Sequence, residues 1–258
     1  MLSTQRARIV ALILTASGAV LLFFALVPPI AQAPAYHGFA DGRGVAGIPN
    51  FLNVISNLPF LAMGLRGLFL LGQGRLVHDN LDGFPVYAVF FTGVALTSLG
   101  SSWYHLAPGN GTLVWDRLPM ALSFAALTTA VLSEHLEPGI ERWLLYPLVG
   151  FGGFSVLYWY LTELQGRGDL RPYAVVQFLP MLMVPLIFVL FQSRFTRRGN
   201  IYLVMGFYVL AKLAEHLDLA IFTLTSAVSG HTLKHLLAAL GVMQVLRMLE
   251  LRRKEPQS

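Results

Sequence analysis

Gly230-His231-Thr232-Leu233-Lys234-His235 opens the last apolar stretch of the chain, which runs on to about residue 250. About 20 mostly apolar residues in one run are enough for a helix to cross a bilayer. On a helix, residues four apart stand one turn above the other on the same face. His231 and His235 therefore present two imidazoles side by side, and two ring nitrogens so placed can share one metal ion.

The 258 residues are 55% hydrophobic and only 12% charged. Ordinary soluble domains carry about 25% charged residues, so the composition is that of a polytopic membrane protein with a single helical bundle. Cysteine is absent. That excludes disulfides, iron–sulfur clusters, thiolate zinc sites and cysteine nucleophiles, and leaves His, Asp and Glu as metal ligands. The net charge of +5 comes from basic residues at segment ends rather than from one soluble basic face. No nucleic-acid partner and no soluble partner are expected, and the oligomeric state is not encoded in any pattern.

Eight stretches qualify as spans: roughly 9–29, 50–71, 84–105, 116–135, 142–162, 172–192, 200–223 and 230–250. The expected fold is all-α, a transmembrane bundle with a seven-helix core over 35–251. A first helix lies within 1–34, and a basic cytoplasmic tail covers 252–258. The first segment also has signal-like features, with Arg6 and Arg8 before it and Ala31-Gln32-Ala33 after it, but its apolar run is long for a signal peptide. With both termini cytoplasmic, the outer loops hold Arg43, Arg117, Arg167 and Arg171. The inner side holds most of the other basic loop residues, among them Arg194, Arg197, Arg198, Arg252, Arg253 and Lys254. Basic residues favour the cytoplasmic side, so this arrangement is the expected one.

The same orientation gathers the polar residues of the spans in the outer half of the bilayer. His105 ends the third span, Asp116 begins the fourth, and His231 and His235 begin the eighth. Asn50, Asn53, Ser56 and Asn57 begin the second; Lys212, Glu215, His216 and Asp218 lie in the outer half of the seventh. Ionisable groups at membrane depth are costly and face the bundle interior, paired or functional. A histidine alone would be read as a hydrogen bond between helices. Three histidines with an aspartate and a serine converging on one leaflet read as a metal site.

A catalytic zinc site has three protein ligands and an open fourth position. The ion polarises a carbonyl and lowers the pKa of water there to about 7. A carboxylate beside it accepts protons, and a hydroxyl can donate to a developing oxyanion. His105, His231, His235, Asp116 and Ser101 are the residue types such a site needs. Elsewhere, Lys212 pairs with Glu215 three residues on, and Lys234 snorkels or pairs with a nearby carboxylate. His37 and His78 are read as solvated, and His135 as interfacial near the inner end. Tyr158-Trp159-Tyr160 reads as an interfacial belt, and the tail from Arg252 as a contact with anionic headgroups.

Asn53-Val54-Ile55-Ser56-Asn57-Leu58, Ser101-x-x-x-His105, Asp116 and His231-x-x-x-His235-x-x-Ala238-Ala239 occur in that order. The ordered set resembles the alkaline ceramidase family, in the CREST superfamily of seven-helix membrane hydrolases, as a bacterial-type member with an added first span. The resemblance covers about residues 35 to 250. It implies Zn2+ on His105, His231 and His235, a water positioned and deprotonated by Asp116, and help at the oxyanion from Ser101. Asn53, Ser56, Asn57, Glu215 and Asp218 would shape the site around them. The implied reaction is cleavage of the amide of a membrane lipid such as ceramide to a fatty acid and a sphingoid base. Calcium-regulated members carry an acidic cluster before the first core helix; here Tyr36 to Asn50 has Asp41 as its only acid, so no calcium site is expected. Two other readings stay open: a non-catalytic zinc-containing receptor of the progestin and adipoQ type, and a haem protein. Haem would need histidines facing each other across the bundle rather than two on one helix turn.

Overall fold

The structure, a computed structural model, describes residues 2–78 and 80–255. Of the two terminal segments read from the sequence, 1–34 is described from Leu2 and 252–258 as far as Glu255; the rest of each lies outside the described residues. Its helices are α1 (Leu2–Leu26), α2 (Phe51–Ile55), α3 (Leu58–Gly72), α4 (Asn80–Leu106), α5 (Asn110–His135), α6 (Glu141–Leu164), α7 (Arg171–Leu190), α8 (Gly199–His216), α9 (Asp218–Thr225) and α10 (Gly230–Leu251). A 3₁₀ turn, Pro34–His37, interrupts the long loop between α1 and α2. Among the described residues no strand forms; only isolated bridges occur.

Among the described residues, six helical stretches are long and apolar enough to cross a membrane: Thr4–Leu26, Phe51–Gly72, Gly83–Leu106, Glu141–Leu164, Arg171–Leu190 and Gly230–Leu251. They carry large apolar side chains facing outward, including Leu14, Leu21, Leu157 and Val189, as lipid-facing surfaces do. The protein is a multi-pass membrane protein. The other two expected spans fall short for a physical reason. α5 holds Asp116, Arg117 and Glu134, and α8 holds Lys212 and Glu215. α5 is packed among α4, α6 and α7, so its charges meet protein rather than lipid.

Two expected spans are broken helices. The stretch read as one helix over 50–71 breaks at Ser56-Asn57, between α2 and α3. Pro59 stands at the start of α3, lacks an N–H and disfavours helical backbone at the residue before it. The stretch over 200–223 breaks at Leu217, where α8 gives way to α9. Each break sets a polar side chain at the site: Ser56 in the first, Asp218 in the second. α5 also begins earlier than expected, at Asn110, so Asp116 lies in its second turn rather than at its start.

At the opposite end of the bundle the basic tail departs from expectation. The Arg252 side chain is fully buried and pairs with Glu134 at 2.7 Å. Its Nε donates to the carbonyl of Val77 (2.6 Å), and its guanidinium lies 4.1 Å from the Phe195 ring centroid. Burial alone would lower the pKa of this guanidinium, but the charge of Glu134 and the hydrogen bonds to Glu134 and Tyr87 more than offset it and raise the pKa above the ordinary arginine value. Arg252 thus anchors the end of α10 to α4 and α5 instead of reaching for headgroups. His135 is likewise buried, its ring stacked on Phe188.

Candidate metal centre

His105 sits in the last turn of α4, where Asn50 Nδ2 donates to its carbonyl oxygen (2.8 Å) and satisfies a helix-end acceptor. The link to α5 is only Ala107-Pro108-Gly109, so the chain doubles back and sets Asp116 beside Ser101. Gly100 fixes that approach: a Cβ there would overlap the carbonyl of Trp115. Asp116 and Ser101 are both buried, within hydrogen-bonding reach of each other.

α10 starts with a capped turn. Ser229 is its N-cap, accepting from the backbone N–H of Thr232 (3.1 Å). The N–H of His231 donates to Asp218 Oδ1 (2.7 Å), which settles another orphan donor of the first turn. Gly230 allows the crossing, because a Cβ would overlap the backbone of Ala214 and Asp218. The N-terminus of α10 is thereby locked against the α8–α9 break, with His231 and His235 facing α4.

The three imidazoles form a near-equilateral triangle. Ring centroids lie 4.9 Å apart for His105–His231, 5.0 Å for His105–His235 and 4.9 Å for His231–His235. All three rings are buried, and one nitrogen from each lies within 4.8 Å of the others. The Nε2 atoms of His105 and His235 are 3.3 Å apart.

The sequence profile of the family described as Ceramidase matches residues 45–220. This chain belongs to the ceramidase family. The matched region takes in Asn53, Ser56, Asn57, Ser101, His105, Asp116, Glu215 and Asp218, and ends before His231; the triangle above is what ties α10 to it. A search of curated proteins gave no significant match.

The residues of this ceramidase-family chain fit a metal ion on their own geometry. A tetrahedral ion with nitrogen ligands at about 2.0–2.1 Å holds two of them about 3.3–3.4 Å apart, the separation found for His105 and His235. His231 Nε2 is buried with no hydrogen-bond partner among the described residues. A buried polar atom left unsatisfied costs about 1–3 kcal/mol, and an ion between the rings would remove that cost. Nitrogen-only donors suit zinc and its transition-metal neighbours and disfavour calcium or magnesium, which prefer oxygen.

A polar layer stands behind the triangle. Ser56 Oγ is 2.7 Å from His235 Nδ1. Asn53, fully buried, accepts from Thr232 Oγ1 (2.8 Å), and Asn57 Nδ2 donates to the Asn53 carbonyl (2.8 Å). On the other flank Glu215 takes both Lys212 (2.7 Å) and Lys234 (2.6 Å), and accepts from Tyr36 Oη (3.1 Å). The Lys212–Glu215 pair read from the sequence is present, and of the two readings of Lys234 the pairing is the one found, on the same carboxylate.

The loop before α2 covers the triangle. The Phe39 ring lies 4.6 Å from that of His105 and 4.8 Å from that of His231. Ala40 N–H donates to Asp218 Oδ2 (2.9 Å), and Arg43 Nη2 donates to the carbonyl of Ala227 (2.6 Å). His37, expected in solvent, instead bridges Tyr104 Oη (2.9 Å) and Asn110 Oδ1 (3.0 Å). Nothing in the sequence pattern marks Phe39 as a cover, because the loop has no periodicity. Trp159 departs from the interfacial-belt reading too: it is fully buried, with the Arg117 guanidinium 4.2 Å from its ring centroid.

Between α3, α4, α5, α8 and α10 lies a cavity of about 140 Å³. Its polar lining is Asn57, Thr97, Ser101, Asp116, Ser123, Tyr208, Lys234 and His235, and the rest is apolar. α5 and α8 scarcely touch, and Phe124 and Tyr208 stand at that gap, 5.6 Å between ring centroids.

Proposed function

We propose that this chain cleaves the amide bond of a membrane lipid, ceramide being the first candidate, as a zinc hydrolase with His105, His231 and His235 as ligands. The observation that carries the reading is the imidazole triangle, of which His235 lines the same cavity as Asp116 and Ser101. Family membership supports hydrolysis. When bound, zinc supplies Lewis-acid polarisation of a carbonyl and acidification of water.

The chain's own groups do the rest. A carboxylate oxygen of Asp116 takes a proton from the attacking water as the water oxygen bonds to the amide carbon. The C–N bond breaks as that proton is delivered to the nitrogen, giving a carboxylic acid and an amine. Ser101 donates its one hydroxyl hydrogen to the Asp116 carboxylate at rest, and turns it to the carbonyl oxygen as charge builds there and Asp116 takes up its proton. Phe39 and its loop exclude bulk water from the imidazoles. The apolar cavity takes the lipid chain, which enters through the gap between α5 and α8.

The site lies in the outer half of the bilayer, with both termini cytoplasmic. The basic loop residues support that orientation. So do Trp103 and Trp115, stacked and half exposed at the site end of α4 and α5, as aromatic residues at an interface are. The test is incubation of purified protein with a panel of N-acyl lipids. Wild type releases fatty acid, and His231→Ala and Asp116→Asn lower the rate at least ~100-fold. The assignment fails if no lipid is cleaved by wild type, or if both variants keep full activity.

A further inference from the structure

Two polar atoms on the cavity wall have no partner among the described residues, and neither carries a step of the reaction described above. Asn57 is fully buried. Its Nδ2 donates to the carbonyls of Asn53 (2.8 Å) and Val54 (3.4 Å). Those two acceptors fix which way the amide points, because a carbonyl oxygen in that place would face two others. Oδ1 is left with no donor among the described residues. The second atom is Tyr208 Oη on α8, also buried without a partner among the described residues. Both residues line the cavity that holds Ser101, Asp116 and His235.

Buried polar groups are nearly always hydrogen-bonded. Two exceptions on one cavity, from elements far apart in the chain, indicate that the partner is a molecule the cavity receives. The two atoms also differ in what they ask for. Asn57 Oδ1 only accepts, so it needs an N–H or O–H. Tyr208 Oη can donate, so it takes an acceptor such as a carbonyl or hydroxyl oxygen.

We propose that Asn57 Oδ1 and Tyr208 Oη are the two points at which the cavity recognises the polar group of its lipid, and that this lipid must carry a hydrogen-bond donor next to its acyl carbonyl. A secondary amide or a hydroxylated amide lipid meets the requirement. An ester or tertiary amide without hydroxyls does not, and leaves Asn57 unsatisfied. A site built around such an acceptor rejects ligands lacking the donor far more strongly than their shape requires. The inference deepens the lipid-amidase reading and rests on it only for the choice of ligand.

The test is equilibrium binding to the full chain in detergent micelles. The probes are a long-chain N-acyl amino-alcohol lipid and its N-methylated, dehydroxylated, and doubly N-methylated and dehydroxylated forms. Wild type binds the parent lipid at least ~10-fold more tightly than the doubly modified one. The two singly modified lipids show whether the N–H or the O–H is the donor. Tyr208→Phe, which removes one oxygen and no volume, weakens the parent at least ~5-fold and leaves the melting temperature of the lipid-free protein unchanged or raised. Equal binding of the parent and doubly modified lipids by wild type overturns the inference, as does unchanged affinity in Tyr208→Phe; a water-filled pocket would give both. Failure of wild type to bind any of the lipids would instead remove the lipid reading itself, and binding without turnover would leave the inference standing while the hydrolase fell.

Discussion

Ser56 Oγ lies 2.7 Å from Nδ1 of His235 and 3.1 Å from the carbonyl of Asn53. The carbonyl can only accept, so the hydroxyl hydrogen goes to it and the Oγ lone pair faces the ring. His235 must then carry its hydrogen on Nδ1 and turn the lone pair of Nε2 toward His105 and His231. Partners of this kind set tautomer and ring orientation, and removing one costs about 10–100-fold in metal affinity. Ser56→Ala is expected to lose affinity in that range, read by competition with a chelator, while the helical content of the protein is kept.

Gly100 sets the distance between Ser101 and Asp116. An added methyl would meet the Trp115 carbonyl, and backbone cannot step aside as a flexible side chain can. Forcing extra volume into a packed contact costs about 1–3 kcal/mol. Gly100→Ala should lower the melting temperature and reduce turnover more than metal content, since it separates α4 from α5 at the carboxylate. Full activity in this variant would show that the close approach is not needed.

Glu215 is the single carboxylate for two ammonium groups, Lys212 and Lys234. Removing one partner of a buried pair costs about 3–5 kcal/mol, because the charge left behind has lost its compensation. Glu215→Gln strands both lysines and should destabilise by an amount in that range. Lys212→Met should cost much less: its side chain is 36% exposed and Lys234 still holds the carboxylate. Thermal melting of the two variants in the same detergent checks the order.

The loop over the imidazoles is fastened by Arg43, which grips Asp41 at 2.7 Å and the carbonyl of Ala227 at 2.6 Å. The hydrogen bond from Arg43 holds the Asp41 carboxyl below its ordinary pKa, more than offsetting the effect of burial. A depressed folded-state value means the clip's contribution is present above the ordinary aspartate pKa of about 3.9 and is lost as pH falls through the lower folded value. Proteolysis between α1 and α2 should therefore accelerate below about pH 4 in wild type. Asp41→Asn should show the faster rate at neutral pH and little further change on acidification.

Much of the site was readable because the relevant spacings are local. His231 and His235 share a helix face through a four-residue step, and Ser101 and His105 do the same on α4. The short Ala107-Pro108-Gly109 link obliges Asp116 to return beside them. Helical, membrane-spanning character followed from composition. The sequence pattern was blind to contacts between distant segments that no periodicity encodes. Trp159 looks like an interfacial aromatic until Arg117 is found against it, and Arg252 looks like a lipid anchor until Glu134 is found beneath it. Phe39 sits in an irregular loop, so its place over two imidazoles could not be inferred. The breaks at Ser56-Asn57 and Leu217 were read through as continuous helix, because the hydropathy on either side hides them; Pro59 was the available signal for the first.

The most direct measurement is the metal content of the purified protein by elemental analysis. About one zinc ion per chain is expected in wild type, with loss of that zinc in His105→Ala, His231→Ala and His235→Ala and its retention in Asp116→Asn. A wild-type protein that is folded, lipid-binding and free of any transition metal after purification without chelators would contradict a metal centre on these three histidines, as would alanine variants that hold zinc as well as wild type does.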